Sequence, residues 1–68
     1  MKKYLVIEIQ KTSEGVVSNI VTAYDDKKLA ESAYYTILAS AAVSELPLHT
    51  AMIIDDEGSV YQTRCYKN

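Results

Sequence analysis

The residues of this chain best suited to covalent or acid–base chemistry are its one cysteine, Cys65, and its one histidine, His49. A thiol and an imidazole make a nucleophile–base pair only if folding joins them and a third group orients the base. Nothing in the spacing supplies that third group, an oxyanion hole, a phosphate-cradling glycine loop or a Ser/His/Asp arrangement. One Cys and one His also fall short of a four-ligand zinc site, and a single cysteine forms no disulfide within the chain. Asp55-Asp56-Glu57 is the densest acidic run. It offers the oxygen ligands that Mg²⁺ or Ca²⁺ takes, without the spacing of a calcium loop. Carboxylates are ordinary in hairpin turns and at helix starts, and Asp25-Asp26 reads the same way. The expectation is a chain with no catalytic, metal or cofactor site, and so not an enzyme.

Six tyrosines, with no Phe or Trp beside them, are the most unusual feature of the composition. A tyrosine pairs a large apolar area with a polar tip, which suits half-wet surfaces. Tyr4, Arg64 and Tyr66 are expected on a sheet face turned away from any helix, where they would form a candidate platform for single-stranded nucleic acid. The seven basic residues are scattered, and the net charge of −2 gives no general attraction to nucleic acid or anionic membranes. Nucleic-acid binding is therefore the alternative reading.

The elements that must position these residues follow from periodicity. Tyr4–Gln10 alternates with period two, and the Leu5/Ile7/Ile9 row is the expected core face of a first strand. Thr12-Ser13-Glu14-Gly15 is a hairpin turn, and Val16–Tyr24 a second strand whose two rows are both apolar enough to face inward. Asp25 or Asp26 caps a helix that runs to about Glu45, because Pro47 disfavours helical geometry before it. His49–Asp55 is a third strand, Asp56-Glu57-Gly58 a second turn, and Ser59–Lys67 a fourth strand, with Val60, Gln62, Arg64 and Tyr66 on one side. Residues 1–68 thus read as a single domain of α+β class: ββαββ, one helix on one face of a four-stranded antiparallel sheet. The most apolar strands, the first and third, belong in the middle, which gives the order 2-1-3-4.

A helical wheel places Leu29, Ala30, Ala33, Tyr34, Ile37 and Ala41 on the arc that covers the sheet. Outside it fall Tyr35, Ala39, Ala42 and Val43, in a stretch (Ser32–Ser44) without a single charge. A lone helix on one sheet normally presents charge there. This outer face is expected to bury itself against a second copy in a two-fold dimer, which would also offset the thin core of so short a chain.

No apolar run approaches a membrane span, and the run after Lys3 is too short for a signal-peptide core. With one unpaired thiol, the expected location is the cytoplasm. The opening MKKYLVIEI, the central AYDDKKLAESAYY and the closing IIDDEGSVYQTRCY resemble a group of very short proteins encoded on phages and conjugative elements of Gram-positive gut bacteria. The resemblance implies a small accessory protein that acts on a larger partner inside a bacterium. The favoured function is a non-enzymatic, self-associating protein-interaction module.

Overall fold

The computed structural model describes residues 2–68 and contains five elements: β1 (Tyr4–Lys11), β2 (Val17–Tyr24), α1 (Lys27–Ala42), β3 (Leu48–Asp55) and β4 (Val60–Lys67). All neighbouring strands are antiparallel, in the order β2-β1-β3-β4. The ββαββ fold, the central pair and the strand order are those expected from the sequence.

Both turns depend on glycine. Gly15 and Gly58 have φ of 85° and 89°, a region where an L side chain is strained. In the first turn, the Thr12 N–H donates to the Val16 carbonyl and the Gly15 N–H to the Thr12 carbonyl, both at 3.0 Å. In the second, the Gly58 N–H donates to the Asp55 carbonyl at 3.1 Å. Helix α1 starts at Asp26, whose carboxylate accepts from the Lys28 N–H at 2.8 Å and satisfies one of the free first-turn donors. It stops at Ala42, earlier than the expected Glu45. Val43 leaves helical geometry, and the Val43 and Ser44 N–H groups turn back onto the Ser40 and Ala41 carbonyls. The chain needs Val43–Pro47 to reverse onto β3, so propensity alone does not decide where the helix ends.

The helix covers the face that carries Val6, Ala51 and Ile53, which pack with Ala30 and Tyr34; Tyr4, Tyr24, Ala33, Ile37 and Leu38 border them. The cross-strand register sets this row: Val6 pairs with Ile53, and Glu8 with Ala51. The expected core row of β1 is thereby corrected. Leu5, Ile7 and Ile9 point to the other face, where no helix lies. Alanines at 30, 41 and 51 keep the buried layer low and allow the helix close to the sheet. Leu29 is also corrected, at 58 % exposed. The helix lies mainly over β3 and β1 and meets the two edge strands less.

The β3–β4 register slips between Ile53 and Ile54: Ile53 faces Gln62, while Ile54 faces Val60. Tyr61 is the extra residue of this bulge. The slip moves Val60 to the open face, away from Gln62, Arg64 and Tyr66, with which the alternation had grouped it.

Candidate interaction surface

In an antiparallel sheet, directly opposed residues share a face, so the register assigns every strand residue to one side. The uncovered face consists of four rows across β2, β1, β3 and β4. They are Ala23–Leu5–Ile54–Val60, Val21–Ile7–Met52–Thr63, Asn19–Ile9–Thr50–Cys65 and Val17–Lys11–Leu48–Lys67. The first two rows are apolar except at Thr63. Within these four rows the last carries the charges, Lys11 and Lys67, on either side of Leu48. A single-layer sheet normally shows water a polar side and the core an apolar one. Here the side without a covering layer is the more apolar side of β1.

The helix side holds the polar groups instead. His49 is buried, and its Nε2 donates to the Glu8 carboxylate at 2.6 Å; Gln10 Nε2 donates to the same oxygen at 3.0 Å. The His49 Nδ1 is buried with no hydrogen-bond partner. His49 pairs across β3–β4 with Tyr66, and Cys65 with Thr50. The imidazole and the thiol therefore point to opposite faces, so they form no nucleophile–base pair.

Tyr4, Arg64 and Tyr66 are corrected in the same way. Tyr4 borders the core beneath the helix, while Arg64 and Tyr66 share the helix side with Ala51 and His49. The Arg64 guanidinium stacks on the Tyr66 ring, 4.9 Å from its centroid. These residues do not form a platform on the open face. The helix-outer residues are where the wheel put them: Tyr35, Ala39 and Ala42 are exposed, and Val43 is 83 % exposed just past the helix end. Tyr35 leans toward β4, and its hydroxyl donates to Gln62 Oε1 at 3.3 Å.

Asp55 occupies the second turn as a structural acceptor. Its Oδ1 accepts from the Glu57 and Ser59 N–H groups, each at 2.9 Å, and its Oδ2 from the Tyr61 hydroxyl at 3.0 Å. The Ser59 N–H foremost, then Tyr61, Glu57 and the nearby Lys2 charge, hold its pKa below 3.8 against the effect of burial. A depressed carboxylate pKa stabilises the fold above the unfolded value and loses that contribution as pH falls through the folded value. Asp55→Asn should thus melt earlier at neutral pH and show a flatter loss of stability on acidification below about pH 4. Thermal melts across that range check this; an unchanged acid limb would remove Asp55 as its source. Among the described residues, no group of three or more His, Cys, Asp and Glu side chains could hold a metal ion. Among the same residues, no helix is long and apolar enough to cross a membrane.

No protein-family model, curated protein or solved structure matches this chain. The Leu5/Ile7/Ile9 row, expected from the sequence to face the core, lies instead on this open face.

Proposed function

We propose that this chain is a non-enzymatic interaction module that self-associates, with two open sheet faces packed on each other. The observation that carries the reading is the apolar half of the uncovered face, centred on Leu5, Ile7, Met52 and Ile54. Eight-residue strands and four-strand width give a footprint of about 500 Å². Two such faces reach the roughly 1,000 Å² expected of a biological interface. Stacked sheets sit about 10 Å apart with interdigitating side chains, the geometry of a β-sandwich.

Charge favours a second copy with its strands reversed. Lys11 and Lys67 stand at one end of the face; the β3–β4 turn with Asp56 and Glu57 stands at the other, beside Lys3, whose charge is paired with Asp25. Reversal sets each lysine pair over the partner's acidic turn. The core adds a motive: three of the six buried apolar residues, among the described ones, are alanines. A layer this thin gains from burial in an assembly. The sheet face is preferred to the helix-outer patch of Tyr35, Ala39, Ala42 and Val43 because it is larger and its branched side chains are contiguous. The opposed placement of His49 and Cys65 supports the absence of catalysis, and the lone thiol suits a reducing cytoplasm. Blocking the surface of a larger bacterial protein is the role such a module would serve.

Sedimentation and thiol labelling test this. Wild type is expected to sediment above the 7.6 kDa of one chain at tens of micromolar. Cys65 labelling should slow as concentration rises, since the thiol lies on the face being covered. Met52→Glu sets an unpaired carboxylate in the middle of that contact and should abolish the face-to-face association, with labelling fast at every concentration. Concentration-independent labelling in wild type would sink the reading.

A further inference from the structure

The two edges of the sheet are built differently. The β4 edge carries Arg64 and Lys67 and is bent by the bulge at Tyr61. These are devices by which native sheets block edge-to-edge pairing. The β2 edge has none of them. Its eight residues, VSNIVTAY, include no charge and no proline, and it pairs with β1 residue for residue without a bulge. Every residue from Val17 to Ala23 is exposed. A long, flat, neutral edge is a template for another strand.

The direction of its free backbone groups follows from the hydrogen bonds at the sheet ends. The Thr12 N–H donates to the Val16 carbonyl, so the bonded β1–β2 positions continue at Ser18, Ile20, Thr22 and Tyr24. The Asp56 N–H donates to the Lys3 carbonyl, which sets the complementary phase for β1–β3. Val17, Asn19, Val21 and Ala23 therefore direct their N–H and C=O groups outward from the sheet.

We infer that β2 pairs antiparallel with β2 of a second copy across a two-fold axis at Ile20, joining two four-stranded sheets into one of eight strands. In this register Asn19 faces Val21 of the other copy, and Val17 faces Ala23. All four outward-directed positions of each strand then find a bonded partner. On the helix side Ile20 meets its own equivalent, and Ser18 meets Thr22. No like charges oppose each other, the usual obstacle when a surface meets itself. Ile20 and Leu29, exposed by 60 % and 58 %, add apolar cover beside the new strand pair. A two-fold contact closes, whereas β2 on the β4 edge of a neighbour would be head-to-tail and extend without limit. The charges and bulge on β4 work against that second arrangement.

This edge is a different surface from the open face, and the two are separable. The axis at Ile20 stands perpendicular to the sheet, whereas the axis of face-to-face stacking lies in the plane between sheets. Where the two axes intersect, the contacts together make a closed assembly of four chains. Either one alone makes a dimer.

The test measures amide hydrogen exchange at Asn19 and Val21, with mass by sedimentation. If the edge pairs, exchange at both amides slows by at least about tenfold between dilute and concentrated protein, while the loop amide of Ser13 stays fast throughout. Ile20→Lys brings two ammonium groups face to face at the axis. Its side chain is exposed in the single chain and lies beside Glu8, so the fold tolerates it. It should halve the mass of the wild-type assembly and release both amides, whether or not the face contact forms. Met52→Glu should leave both amides protected. Exchange at Asn19 and Val21 that stays fast at all concentrations, or an unchanged mass for Ile20→Lys, would overturn the inference and leave the face-to-face reading standing.

Discussion

Tyr34→Ala is expected to remove a third or more of the chain's stability. Tyr34 is the largest side chain in the buried layer, 3 % exposed between Ala30 and the sheet, with its ring edge-on to Tyr35 at 5.3 Å. Its neighbours cannot close the gap, since Ala30 and Ala51 are already as small as packing allows short of glycine. Loss of a buried aromatic ring costs about 3–5 kcal/mol. A chain of this length has a total stability of about 3–10 kcal/mol, so the cost takes a third or more of it. Tyr34→Phe keeps the ring and its edge contact and should remain folded, within about 1 kcal/mol of wild type. Burial already raises the Tyr34 pKa, in keeping with a hydroxyl at the margin of an apolar layer. Urea melts of the three proteins settle the point; an alanine variant as cooperative and stable as wild type would show that the ring is not the centre of the core.

The second large effect is a contrast between two adjacent isoleucines. Ile53 has no exposed surface and packs beneath the helix, whereas Ile54 points to the open face beside Leu5. Ile53→Ala should cost about 2–5 kcal/mol at every protein concentration, because the cavity lies within one chain. Ile54→Ala should change the dilute chain by no more than about 1 kcal/mol and show most of its cost only where the protein associates. Melting both variants over a wide concentration range separates an internal layer from an external one. Equal, concentration-independent losses would mean that a single chain already buries the face assigned here to a partner.

Much of this molecule was set locally. Alternation in β1, the two glutamate–glycine turns and the aspartate at the helix start are all short-range signals. Each acts through steric or hydrogen-bonding preferences of a few consecutive residues, so the element order and both turns were readable without a structure. The strand order followed from one further step, since the two most apolar strands gain most from a central position. That no disulfide can form within the chain was also a matter of composition alone.

Only tertiary structure decided which side of each strand the helix covers. Period two divides β1 into two rows but carries no sign, and the more apolar row was the natural choice for the core. The register of β1 with β3 joined Val6 to Ile53 and Glu8 to Ala51, and the small-residue stripe of the helix came down on that side. One change of side moved Tyr4, Arg64 and Tyr66 beneath or beside the helix, sent Cys65 away from His49, and left Leu5 and Ile7 facing outward. The bulge at Tyr61 then shifted Val60 onto the same open face, a slip that no local pattern in β4 announces. Hydrophobic periodicity reports that a residue is to be buried; whether its own helix or another chain buries it depends on contacts between residues far apart in sequence, and those exist only in the folded chain.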